Sequence, residues 1–117
     1  MVSAGVVLHC DEVASAGRDG LSIRILGRLV TYNPHTNQAV IEHRDATLAV
    51  DTSLLEAHAY HAGDLLQFIG ELAPSGGTGE LGLRARIVQS VAGLNISTYE
   101  RAVDSLREFE ASLSHPT

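Results

Sequence analysis

The chain has 117 residues, 44% hydrophobic and 19% charged, with a formal net charge of −6; this is one ordinary globular domain, long enough to bury a core of its own. An acidic chain is a poor stand-alone ligand for nucleic acid, because neutralising phosphates drives that affinity. A single cysteine, Cys10, excludes an intrachain disulfide framework, and no apolar run reaches the roughly 18 residues of a membrane span.

In chain order, Val6-Val7-Leu8 reads as either a short leading strand or an ordered arm. The stretch Met1 to Leu8 lacks a basic n-region and a full apolar h-region, so no secretory signal is expected. Ser15 to Gly20 is a loop by its small and polar content. Leu21 to Tyr32 alternates as a long strand, with Gly27 midway, where a bulge or bend is expected. Asn33 to Asn37 is a turn. Gln38 to His43 is a second strand, Arg44-Asp45 a tight reversal, and Ala46 to Asp51 a third strand.

Thr52 to Tyr60 changes period: Leu54, Leu55 and His58 recur at helical spacing behind a Thr52 or Ser53 cap, which predicts a short helix ended by Gly63-Asp64. Leu65 to Leu72 is a fourth strand with Gly70 inside it. Ala73 to Gly79 is a glycine-rich loop. A fifth strand follows, with Leu81, Leu83, Ala85 and Ile87 expected inward and Arg84 and Arg86 outward. Asn95 to Leu113 closes the chain as an amphipathic helix. Tyr99, Ala102, Val103, Leu106 and Leu113 share a stripe, with Phe109 at its margin. Either Asn95 or Ser97 can cap it. Five strands with a helix between the third and fourth is the layout of an OB-fold, a small all-β barrel. The expected organisation is a single domain: an arm over 1–20, a barrel over 21–91 and a helix over 95–113.

Few motifs carry chemistry. The glycines at 76, 77 and 79 lead into a strand and not a helix, and the chain has no lysine, so a plain hairpin is expected and not a phosphate loop. His58, His61, His43 and Cys10 lack the spacing of a zinc site, so no metal or other cofactor is expected. No nucleophile sits on a recognisable elbow, and a barrel this small fills its own interior, so no enzyme is expected. For single-stranded nucleic acid, the candidates are Arg24, Arg28, Tyr32, Arg84 and Arg86, the last four mattering most, supplying charge and one ring for stacking. Glu42, Asp45, Glu71 and Glu80 dilute that charge. All eight basic residues are arginine, which suits planar contacts at interfaces, though a GC-rich coding bias gives the same composition. The apolar stripe of the terminal helix can either plug its own barrel or meet another protein.

Several segments together resemble one family: Ile25-Leu26-Gly27-Arg28-Leu29, Gly70-Glu71-Leu72, Arg84 to Val88 running into Val91 to Asn95, and Tyr99-Glu100-Arg101-Ala102-Val103. It is the family of the smallest subunit of the CST complex, a telomeric OB-fold trimer comparable to replication protein A. The resemblance spans Leu21 to Phe109. It implies a non-enzymatic subunit that pairs with the middle OB-fold subunit of the complex, chiefly through C-terminal helices. With the large subunit, the trimer would bind single-stranded telomeric DNA in the nucleus and support fill-in by DNA polymerase alpha–primase. By position, Arg24, Tyr99, Val103, Leu106 and Phe109 would be partner contacts, with Phe109 standing where the family has a tyrosine. The alternatives are the small subunit of replication protein A and a free-standing single-stranded nucleic-acid binder.

Overall fold

A computed structural model describes residues 6–56, 58–75 and 79–114. The chain opens with a short strand, β1 (Val6–Leu8), a single 3-10 turn (Cys10–Glu12) and one turn of helix, α1 (Val13–Ala16). Five longer strands follow: β2 (Ser22–Asn33), β3 (Gln38–His43), β4 (Ala46–Asp51), β5 (Leu65–Pro74) and β6 (Leu81–Ser90). The helix α2 (Ile96–Ser114) ends the described chain.

The five strands β2 to β6 close on themselves. β2 has twelve residues, enough for its first half to pair with β5 and its second half with β3, both antiparallel. β3 pairs with β4 and β5 with β6, also antiparallel, while β4 joins β6 in parallel to seal the barrel. This is the expected OB-fold layout. The interior is filled by alternating side chains with no exposure to solvent, among them Ile23, Ile25, Ile41, Val50, Leu66, Phe68 and Ala85. Closure removes the open edges that would otherwise invite pairing with other chains.

The reversal Arg44-Asp45 places both residues at positive φ, 57° and 61°. That is the two-residue hairpin turn whose twist matches its flanking strands. The register of β3 on β4 follows from it, His43 facing Ala46.

The structure corrects the sequence reading in several places. Apart from residue 57, which lies outside the described set, the predicted helix from Thr52 to Tyr60 is absent: the segment opens with one turn at Ser53-Leu54 and otherwise has no regular structure. Thr52 is tied back to the β2–β3 turn, its amide and hydroxyl both donating to the Asn37 carbonyl, and Asp51 accepts from the Ser53 amide. One turn held this way cannot repay helix nucleation. The N-terminal segment supplies core side chains of its own: Leu8, Cys10 and Val13 join the central cluster. Ser15 and Ala16, expected in a loop, belong to α1. β5 extends past Leu72 to Pro74, which faces Leu81. Residues 76–78 of the predicted glycine-rich loop lie outside the described set.

Gly27 marks no bulge. The irregularity on β2 falls between Leu29 and Thr31, and Gly27 is small because a Cβ there would lie 2.8 Å from Ile41. Gly70 does sit at a bulge: Ile69 faces Ile87 and Gly70 faces Ala85, leaving Arg86 as the extra residue. The inserted residue reverses the alternation beyond it, so Ile87 points outward and Val88 packs on the core.

Candidate interaction site

Asn95 caps α2: its side-chain oxygen accepts from the Thr98 amide at 3.0 Å and its carbonyl from the Tyr99 amide. That choice over Ser97 fixes where the helix starts, and so which residues face the barrel. Val103 is 5% exposed, and it is the one fully buried side chain of α2 among the described residues. Tyr99 and Arg107, on the same side of the helix, are half-buried. Ala102, Leu106, Phe109 and Leu113 lie within about a 60° arc on the neighbouring side, from 100° per residue. They are exposed: Leu106 by 47%, Phe109 by 53% and Leu113 by 72%.

The predicted stripe is thus two surfaces. Tyr99 and Val103 face the chain's own barrel, whereas Leu106 and Phe109 face outward. Glu110 is exposed beyond Val103. Arg24, on β2, is half-buried, its Nε is enclosed without a hydrogen-bond partner among the described residues, and its charge acts on the Tyr99 phenol. Burial raises the pKa of that phenol, so it stays protonated at neutral pH.

Beneath α2 lies a polar layer the sequence reading missed. Arg107 donates to both carboxylate oxygens of Glu12, at 2.9 and 2.7 Å, and to the Val7 carbonyl at 2.8 Å. The His9 amide also donates to Glu12, at 2.8 Å. Together these hydrogen bonds, that of Arg107 first, hold the Glu12 carboxyl down to about 2. His9 is 1% exposed, its ring edge-on to His43 at 5.2 Å and to Tyr99 at 6.2 Å. Neither ring nitrogen of His9 or His43 makes a hydrogen bond within the described residues, nor does the Tyr99 hydroxyl. His43 Nε2 approaches Glu100 Oε2 at 3.5 Å. Arg44 bridges Asp11 and Glu100 at 3.3 and 3.9 Å. One signal pointed this way: Arg107 falls one helical turn past Val103, and a charge on the inward side of a helix needs a carboxylate.

The nucleic-acid candidates are not brought together. Arg86, the bulge residue, donates from Nε to both oxygens of Glu71, at 2.7 and 2.9 Å. Arg84 is exposed in a cleft of about 200 Å³ that Asp51 also lines. In register it faces both Glu71 and Asp51. Arg28 donates to the Gly63 carbonyl and faces Leu65. Leu65 and Glu71 are six residues apart on β5, so Arg28 and Arg84 are separated by roughly 20 Å at 3.3 Å per residue. Tyr32 is half-buried and packs its ring, tilted by 32°, on Tyr60 with centroids 4.3 Å apart, and the His58 ring lies 4.8 Å from that of Tyr60. Among the described residues, no group of three or more His, Cys, Asp or Glu could hold a metal ion.

Comparison with known proteins adds to this geometry. Residues 1–113 match the family described as "Telomere-capping, CST complex subunit". The chain is 30% identical over 111 residues to the CST complex subunit TEN1 of Arabidopsis thaliana, covering 92% of this chain and 87% of that protein. Its structure is similar to a chain of the S. pombe Stn1–Ten1 complex, with a TM-score of 0.73 at 14% identity over 91% of this chain and 94% of that one. It is also similar to a chain of U. maydis replication protein A bound to single-stranded DNA, with a TM-score of 0.70 at 11% identity over 98% and 100% of the two chains. At such identities the structural likeness speaks to fold alone.

Proposed function

This chain belongs to the telomere-capping CST complex subunit family, and on that premise we propose that it is a non-enzymatic subunit which docks through α2 onto a larger OB-fold subunit of the Stn1 kind. The observation that carries the proposal is the outward face of α2. Leu106, Phe109 and Leu113 stay exposed beside a barrel that has a buried apolar core of its own. A contiguous apolar strip at helical spacing is what a helix-to-helix interface uses. Arg24 and Tyr99 lie at the inner margin of that strip and would meet the partner only along its rim. Val103, buried within the chain itself, contributes by fixing the helix.

On this reading the chain stabilises its partner at chromosome ends in the nucleus. Single-stranded DNA is held by the assembled complex together with its large subunit, and fill-in by DNA polymerase alpha–primase is supported indirectly. Family membership separates this assignment from the small subunit of replication protein A, with which the chain shares a fold. The scattered, neutralised arginines weigh against a free-standing nucleic-acid binder.

Co-purification with a Stn1-type OB domain tests the proposal. Leu106→Glu and Phe109→Glu are each expected to abolish the complex, while the far-ultraviolet spectrum and melting temperature of the free chain stay as in the parent. Retention of the complex by both variants would sink the docking face.

A further inference from the structure

We infer that the N-terminal segment positions the docking helix, through the Arg107–Glu12 pair with the Val7 carbonyl as its third acceptor. Three observations support this. First, α2 is lightly held, since Val103 is its one fully buried side chain among the described residues. Its other contacts with the barrel are half-buried Tyr99 and the charged Glu100 and Arg107, so polar contacts have a large share in setting its roll about its axis. Second, the hydrophobic effect favours rolling the wrong way, because Leu106 and Phe109 would leave water if they turned onto the barrel. Third, Arg107 sits one turn beyond Val103 and makes three hydrogen bonds to a segment nearly the whole chain away.

A planar guanidinium held by both oxygens of one carboxylate fixes direction as well as distance. Glu12 is itself aimed, by the His9 amide. His9 stands on the 3-10 turn whose Cys10 is buried in the core. The orientation of α2 is therefore referred back to the barrel through β1 and that turn. With the pair closed, Arg107 stays inward, and Ala102, Leu106, Phe109 and Leu113 face out. Glu12 and Arg107 are thus positioning residues and touch no partner in this scheme. The scheme rests on the docking reading above; the pair's hold on α2 does not.

The test uses the full chain, amide hydrogen exchange, and titration with a Stn1-type OB domain. Glu12→Gln keeps an oxygen to accept from the His9 amide but loses the charge. It is expected to speed exchange of the α2 amides from Ala102 to Leu113, and to weaken partner binding, each by about tenfold, with strand amides unchanged. Arg107→Gln should match it, and the double variant should be no worse than either alone, the mark of one shared interaction. Arg107→Lys, which keeps the charge without the fork, should fall between parent and Arg107→Gln. Unchanged α2 exchange in Glu12→Gln, additive effects in the double variant, or faster exchange with unchanged affinity would each overturn the inference. Leu106→Glu in the same titration distinguishes the two ideas, since it leaves the pair intact. If partner binding survives both Leu106→Glu and Phe109→Glu, the docking face fails, and the exchange data alone then decide whether the pair holds α2.

Discussion

His9 shows how much a single residue depends on what covers it. Enclosed under α2, its ring carries a pKa below the ordinary 6.5, chiefly because burial disfavours the charged form. Glu12 opposes that shift, while Arg44, His43 and Arg107 reinforce it. The unfolded chain therefore binds a proton below about pH 6.5 that the folded chain resists, so stability falls as pH drops through that range. Glu12 acts lower on the scale: held to about 2 against an ordinary 4.5, its contribution persists until pH falls below about 4.5. Melting temperature against pH is expected to decline below 6.5, and His9→Phe should flatten the decline between about 6.5 and 5. An identical profile for His9→Phe would remove His9 from that account. Nothing in the sequence around His9 marks it as buried, because the helix that covers it lies some ninety residues further on.

Elements were legible where their pattern is local. β3 and β4 lie where alternation and the Arg44-Asp45 reversal predict them, from Gln38 to His43 and from Ala46 to Asp51. The α2 pattern is equally clear, although the stripe gave no hint that Tyr99 and Val103 face one way and Leu106 and Phe109 another. What failed were features that depend on a neighbouring strand. The bulge at Arg86 inverts Ile87 and Val88, and only the pairing with β5 reveals it. Gly70 is bound to that pairing too, since a Cβ there would collide with the Arg84 carbonyl. Because the clash is with backbone, relief requires the strands to separate. Gly70→Ala is therefore expected to cost about 1–3 kcal/mol, read as a lower urea midpoint. A midpoint within error of the parent would show that β5 and β6 can part there freely.

For the whole molecule, charge and closure point the same way. The net charge is −6, Arg86 is engaged by Glu71, and Arg28 and Arg84 lie near opposite ends of β5. Among the described residues, no continuous basic track crosses the barrel. The isolated chain should therefore bind single-stranded DNA weakly and with a shallow salt dependence, and Arg84→Ala should change the affinity by less than about threefold. Tight binding that collapses with salt, and is lost in Arg84→Ala, would show that this chain contacts DNA in its own right.

The sequence by itself determined the barrel, its strand boundaries to within a residue or two for most strands, the terminal helix and the family. The elements follow from alternation, glycine placement and helical periodicity, which each segment carries within itself, whereas the family follows from the resemblance of its short motifs. Tertiary structure alone decided that the N-terminal segment packs into the core, that no helix forms between Thr52 and Tyr60 in the described residues, and that α2 divides into a barrel face and a free face. Each of these is a choice between two local patterns of similar worth, settled by contacts across long sequence separation. The Glu12–Arg107 pair spans 95 residues. It joins two charged positions that look like solvated surface until the chain folds and sets one against the other.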